Sequence, residues 1–362
     1  MKILYNSQIQ LVGAGSSRGR LEITTEQLSE LAWIKYNTKG MPKGEPKRFS
    51  AQEIVDSLGI KSRPYAIGDQ NETTMFNEAL DNALGKVKEY GFDEIKGNII
   101  ALFAGSTTDI RNMPNFLENI CEHAGLNINH KREFVYEACA SFNSGVNKLS
   151  TYIEENNLEG YAIVGVAERL HPLWKKDNFD LMLFGDVAGV AIFKVAPYKN
   201  LPALERGIVG EVSLHFPDVE GHIVRRDDGL LYMNGREVLK MAPEAMIDDC
   251  ERSIKMAALK FGDINKFIFH PGSQHVYNVI VKQLKRRINR LENVDIDLTS
   301  GVPCILEDSG NNGAATTIHT LDREIRTGKI RKGDRVYMGS LGMGFYRAGF
   351  IINRFSFISQ KV

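Results

Sequence analysis

Cys139 stands in YEACASFNSG, between a segment that reads as a strand and one that reads as a helix. A thiol at the first turn of a helix meets unpaired backbone N–H groups and the positive end of the helix dipole, which favour the thiolate. Those N–H groups also suit a developing oxyanion. The competing reading is a small buried core cysteine, the commoner state of this residue type. Cys121 and Cys250 fall in helical patterns and Cys304 in an apolar segment read as a strand, so each reads as inert. The four cysteines lack CxxC spacing, which points to neither a zinc site nor a disulfide framework.

Three further segments carry polar groups at element ends. His270 closes the apolar strand KFIFH before PGS. Site residues gather at such strand ends in α/β folds, where a histidine serves as base or as donor to a carbonyl oxygen. The plainer reading is an exposed loop histidine. Asn311 and Asn312 lie in DSGNNGAATT, where asparagine supplies either turn and cap chemistry or an amide N–H₂ for a substrate carbonyl. GSLGMGFYRAG reads as a hairpin, or as backbone closely approaching a ligand. No GxxxxGK[ST] occurs, and no GxGxxG follows a strand into a helix. Lys282, Lys285, Arg286, Arg287 and Arg290 share one helix, either as a solvated face or as a docking site for an anionic partner.

Strands alternating with helices must position these groups. QIQLVGAG, NIIALFAGS, REFVYEAC (as far as Ala138), YAIVGVAE and VAGVAIFKV read as strands. Thr24 to Gln27 forms a capping box before a helix over LSELAWI. In SGVNKLSTYIEE, Val146, Leu149 and Ile153 share a helical face. The second half repeats the plan: KFIFH, a helix with Val276, Val279, Ile280, Leu284 and Ile288 at helical spacing, a strand at PCIL, a helix, then RVYMGSLG and FYRAGFIIN. Two α/β units about a pseudo-twofold follow, divided as 1–200 and 201–362. Cys139 and Asn311 then occupy equivalent strand-to-helix junctions, which makes one central site plausible. KGMPKGEPK reads as a surface loop.

Composition narrows the classes. Forty-five basic and 45 acidic residues give net charge zero, so no global drive toward nucleic acid or anionic membranes exists. No segment approaches the ~20 apolar residues of a membrane span, and MKILYNSQIQ lacks the apolar core of a secretory signal. A cytoplasmic protein is expected.

Seven segments, in order, resemble the β-ketoacyl-acyl-carrier-protein synthase III family of thiolase-fold condensing enzymes. EACASF resembles its ACAGF, LFGDVAGVAIF its FGDGAGAVVL, MNGREVLKMAPEAM its MDGREVFKFAV, and GIKSRPYA its GIRERHIA. FIFHPGSQ stands where the family has HQAN, SGNNGAATT where it has GNTSAAS, and GSLGMGF where it has FGGGF. The resemblance implies a five-layered αβαβα fold of two βαβαββ halves. It also implies a Cys-His-Asn triad at Cys139, His270 and Asn311, with oxyanion donors from the backbone N–H groups of Cys139 and Met343. Cys139 would take an acyl group as a thioester, and His270 and Asn311 would stabilise the enolate left when a malonyl thioester loses carbon dioxide. The alternative is transfer of that acyl group to a hydroxyl or amine.

The resemblance further implies a homodimer whose acyl pocket Met113 of the partner copy closes. Phe142 and the 171–180 segment would set pocket depth, and Lys282 would dock an acyl carrier protein. No metal or redox cofactor is implied; the substrates carry phosphopantetheine or coenzyme A. Four departures stand out. Ser273 replaces the asparagine that helps hold the pantetheine arm. Glu53 and Asn178 replace the tryptophan and arginine that sandwich adenine. Met343 replaces the middle glycine of FGGG, and Glu137, two residues before the nucleophile, is a candidate extra base. The first three point away from ordinary acetyl-coenzyme A priming and toward specialised, polyketide-like condensation.

Overall fold

The computed structural model describes residues 4–87, 92–108, 115–128, 130–215, 221–294 and 298–353. Five strands form the first of two large sheets: β1 (Leu4–Arg18), β2 (Ile99–Gly105), β3 (Lys131–Val135), β4 (Gly160–Glu168) and β5 (Val187–Pro202), in the order β1-β5-β4-β2-β3. β1 and β4 pair antiparallel to β5, while β2 pairs parallel to both β4 and β3. Every residue of β2 is buried, as a strand covered on both faces requires.

The second sheet holds β6 (Ile208–His215), β7 (Lys266–Phe269), β8 (Val336–Leu341) and β9 (Tyr346–Ile352), in the order β6-β9-β8-β7. Its senses repeat those of the first sheet: antiparallel, antiparallel, parallel. The counterpart of β3 differs from expectation. Pro303 and Cys304 run as irregular chain into the short helix Leu306–Ser309. Pro303 has no N–H to give a ladder, and the Phe267 N–H at the sheet edge is met instead by the Gly301 carbonyl at 2.8 Å.

Six helices complete the layers: α1 (Glu72–Lys86), α2 (Phe116–Ala124), α3 (Ser141–Asn156), α4 (Gly235–Met256), α5 (Gln274–Glu292) and α6 (Ala315–Arg326). α1 and α2 bury Phe76, Leu80, Leu84 and Ile120 against the outer face of the first sheet. α4 and α5 bury Met246, Ile254, Ile280 and Leu284 against the outer face of the second. α3 and α6 lie between the sheets, where Val146, Leu149, Ile153, Ile318 and Leu321 share one core with residues of both. The result is the five-layered αβαβα thiolase-like fold. Each such fully buried side chain contributes ~1.5–3 kcal/mol. Polar contacts join the halves across this layer: Thr317 Oγ1 donates to Asn143 Oδ1 at 2.8 Å, and Asn147 Nδ2 to the Val212 carbonyl at 2.8 Å.

Two other boundaries move. The helix after Thr24 has its capping box with Gln27 but spans only Thr25–Ser29. Buried Trp33 then donates its indole N–H back to the Leu28 carbonyl at 2.8 Å, and Ala32–Trp33 pairs with Lys47–Arg48. The Lys39–Lys47 segment is therefore a largely exposed folded hairpin, with Lys43 N–H bonded to the Lys35 carbonyl at 2.7 Å. No described helix is long and apolar enough to cross a membrane.

Candidate active site

β3 ends at Val135, three residues short of the expected Ala138, and the chain turns sharply to present Cys139. Ala138 takes φ +48°, the left-handed region that costs a non-glycine residue ~1 kcal/mol. Ser141 holds this turn. Its hydroxyl accepts from Glu137 N–H at 2.9 Å and donates to the Ala138 carbonyl at 2.8 Å. Cys139 sits in the 3₁₀ turn Ala138–Ala140 that leads into α3.

The turn from β8 to β9 closes over it. A Cβ on Gly342 would lie 2.4 Å from the Glu137 carbonyl oxygen and 3.0 Å from the Cys139 nitrogen. Only glycine lets the two backbones meet this closely. Cys139 and Met343 thus stand side by side at one cleft, where their N–H groups would serve as an oxyanion hole.

His270 follows β7 directly, and its N–H bonds the Gly339 carbonyl of β8 at 3.0 Å. It is buried, not a loop histidine on the surface. Burial lowers its pKa to about 4, so the imidazole is neutral near pH 7. Its Nδ1 is buried without a hydrogen-bond partner. That suits a ring whose proton sits on Nε2 as a donor.

Asn311 and Asn312 separate cleanly. Asn311 Oδ1 accepts from Gly313 N–H at 2.8 Å, which orients the side chain and leaves its N–H₂ for the cleft. Asn312 is a structural knot: its Nδ2 donates to the Ser309 carbonyl at 2.8 Å, and its Oδ1 accepts from Ser309 Oγ at 2.9 Å.

Cys139, His270, Asn311 and Met343 line one cleft of about 510 Å³. Its walls are mostly apolar: Leu183, Phe184, Leu231, Leu239, Ala242 and Met246. Trp174, Phe179 and Asp180 of the 171–180 segment also line it, as does Ser273, whose side chain caps α5. The mouth carries Lys35, Lys43 and Arg236, which sequence patterning did not single out. Lys43 belongs to the segment read as an ordinary surface loop. His275 is exposed and also borders the cleft. Asp180 has its pKa raised to about 6 by burial, against the pull of Lys35 and Lys43.

Several expected roles are corrected. The backbone N–H at the helix entrance lowers the Cys139 thiol as expected, but it is outweighed. Burial first, then the nearby Glu168 carboxylate, push the Cys139 thiol up to about 12. The desolvation of a charged sulfur outweighs the N–H groups of one short turn. Glu137 faces a different groove, with Lys148 Nζ at 3.8 Å, alongside Glu133 and Tyr152; it is not a base of this cleft. Phe142 is 1% exposed and packs in the core between the sheets, not on the cleft wall. Arg287 does not belong to a free basic face, because Asp248 and Glu251 of α4 pair with it. Glu53 is committed to the capping box of helix Ala51–Leu58, and Asn178 is buried with its Oδ1 accepting from Asp180 N–H at 3.0 Å. Met113 lies outside the described residues.

The titratable group that sequence reasoning missed is Glu168, the last residue of β4. Its carboxylate accepts from Thr107 N–H at 2.9 and 3.0 Å, Thr107 Oγ1 at 2.9 Å and Ala314 N–H at 3.0 Å. Burial lifts it to about 8, against the opposing pull of those hydrogen bonds. The available signal was a charged residue closing an otherwise apolar strand.

Comparison with known proteins agrees with this geometry. Residues 254–354, which include His270, Asn311 and Met343, match the family model described as 3-oxoacyl-[acyl-carrier-protein (ACP)] synthase III C terminal. A β-ketoacyl-[acyl-carrier-protein] synthase III of Wolbachia pipientis is 28% identical over 295 residues, 80% of this chain and 86% of that protein. Among solved structures, the 3-oxoacyl-[acyl-carrier-protein] synthase III of Aquifex aeolicus superposes with TM-score 0.78 at 19% identity, covering 95% of this chain and 99% of that one. The priming β-ketosynthase of a polyketide biosynthetic pathway gives TM-score 0.78 at 22% identity, covering 97% and 98%. The class these findings define is a thiolase-fold condensing enzyme, a transferase. Within that class, the chain is similar to the β-ketoacyl-acyl-carrier-protein synthase III family, over residues 254–354 by the family model and over about 80% of its length by the curated relatives.

Proposed function

We propose that the protein is a β-ketoacyl synthase that joins a Cys139-bound acyl group to a malonyl- or β-ketoacyl-thioester with loss of carbon dioxide. The observation that carries this reading is the meeting of Cys139, His270 and Asn311 on one apolar cleft. The sulfur takes the acyl group, and the backbone N–H groups of Cys139 and Met343 hold the oxyanion of that step. His270, neutral at working pH, and Asn311 donate to the thioester carbonyl that becomes the enolate. An imidazolium is not needed, because a neutral N–H donor meets the developing charge in a water-poor site.

The cleft mouth supports a carrier-bound or long-chain donor and specialised condensation over acetyl-coenzyme A priming. Glu53 and Asn178 serve as local caps, while Lys35, Lys43 and Arg236 offer positive charge suited to a phosphopantetheine phosphate. Exposed Lys282 and Arg286 on α5 suit an acidic carrier protein. A homodimer that brings Met113 of the second copy to the acyl pocket belongs to the same reading.

The test supplies an acyl donor with carboxyl-labelled malonyl carrier protein and follows labelled carbon dioxide. Release that requires both substrates, with formation of a β-keto product, is the expected outcome. An acylated hydroxyl or amine without carbon dioxide release would establish simple acyl transfer instead.

A further inference from the structure

Cys139 presents a difficulty. Its thiol is pushed up to about 12 by burial and by Glu168, yet the thiolate is the reactive form. His270, held near 4 by burial, is a weak proton acceptor. The residues packed beside the sulfur offer another route for the thiol proton.

Three chain segments supply one. β2 runs into Ser106–Thr107, β4 ends at Glu168, and the loop at Asn312–Ala314 closes over both. Thr107 and Cys139 line the same cleft, and the Thr107 hydroxyl is near enough to the sulfur to pull the thiol pKa down. The same hydroxyl is 2.9 Å from Glu168 Oε1. Glu168 itself is fully buried. Gly313, at φ +54°, seals the pair: a Cβ there would lie 3.1 Å from Glu168 Cδ and 3.2 Å from Thr107 Oγ1. The Glu168 end of this path is closed to solvent, and one hydroxyl connects it to the cleft.

We propose that Thr107 relays the Cys139 thiol proton to Glu168, which holds it while the sulfur carries the acyl group. The step balances. The S–H bond breaks as its proton moves to Thr107 Oγ1, whose own proton passes to Glu168 Oε1. Negative charge moves from carboxylate to sulfur. Protonating Glu168 also removes the repulsion that raised the thiol, so the two groups share one proton. The thiolate then attacks the donor thioester, and the departing donor thiolate takes a proton from solvent. When the enolate later displaces Cys139 from its acyl group, the proton on Glu168 returns to the sulfur by the same path. Thr107 touches the reacting atom; Glu168 acts through it and is a positioning residue.

This inference rests on Cys139 being the nucleophile, and the test separates the two claims. The rate of alkylation by iodoacetamide is followed from pH 5 to 10 for the wild-type protein and for Cys139→Ala, Thr107→Val, Thr107→Ser and Glu168→Gln, with melting temperature as the check on folding. The titratable groups facing Glu168 are Cys139 and Glu72, the latter faced in turn by Arg169, Asp186 and His171. Expected are alkylation at Cys139, a fall of about tenfold or more at pH 7.5 with an upward shift of the profile in Thr107→Val, and near wild-type behaviour in Thr107→Ser. Glu168→Gln should behave like Thr107→Val. If Glu168→Gln does not fold, the two Thr107 variants decide the matter. A Thr107→Val protein with the wild-type rate and profile overturns the relay and leaves the condensing reading intact. Labelling that persists equally in Cys139→Ala overturns both.

Discussion

Replacing His270 by alanine should leave Cys139 able to accept an acyl group while lowering carbon dioxide release from the malonyl substrate by ~10²–10³-fold. The split follows from what each group touches. His270 is buried and neutral, and its backbone N–H is anchored to the Gly339 carbonyl, which places the ring at the cleft as the proposed donor. In the proposed reaction it would serve the enolate half. Asn311→Ala should show the same split, because the Gly313 N–H already fixes its oxygen and only the N–H₂ remains for substrate. The measurement is paired: acyl adduct by intact mass, and labelled carbon dioxide from the same incubation. Equal loss of both activities in His270→Ala would place the histidine in acylation, against the assignment made here.

Gly342→Ala should place a damaging methyl at the oxyanion turn. The added carbon would sit 2.4 Å from the Glu137 carbonyl oxygen and 3.0 Å from the Cys139 nitrogen, both backbone atoms with no rotamer to escape through. Something must shift, and what shifts is the pair of strand ends that hold the two oxyanion donors. Loss of one such donor costs ~10²–10³ in rate, and displacing the turn disturbs both. Acylation and condensation should therefore fall together, unlike the His270 variant. Acylation kinetics by mass spectrometry, with circular dichroism to confirm the fold, would show it. A Gly342→Ala protein that acylates at the wild-type rate would mean that the turn does not support the oxyanion.

The elements that bring these groups together were largely legible in the sequence because they obey simple periodicities. The buried strands Ile99–Gly105 and Val336–Leu341 are short apolar runs, and Val146, Leu149 and Ile153 mark a single face of α3. Cys139, His270 and Asn311 could be placed because each closes or follows such an element. What escaped depends on direction and on distant partners. Glu168 ends a strand much as many charged residues do, and its meaning lies in Thr107, 61 residues away just past the end of the neighbouring parallel strand. Glu137 and Phe142 flank Cys139 in sequence but point elsewhere, because the tight turn at Ala138 and the first turn of α3 rotate successive side chains away from one another. The apolar PCIL reads as a strand until proline and the neighbouring Gly301 turn are placed in space, where the sheet edge is already met. Helix-end reasoning about Cys139 captured the lowering by its own N–H but not the burial around the sulfur, which is a tertiary property.

The central claim is that Cys139 carries the acyl group. The direct measurement is intact mass after incubation with a panel of acyl-coenzyme A and acyl-carrier donors, for wild type and Cys139→Ala, followed by peptide mapping. One acyl mass added to wild type, on the peptide containing Cys139, and none added to Cys139→Ala is the predicted result. Acylation of Cys139→Ala to the wild-type extent, or an adduct mapped to Cys121, Cys250 or Cys304, would contradict it.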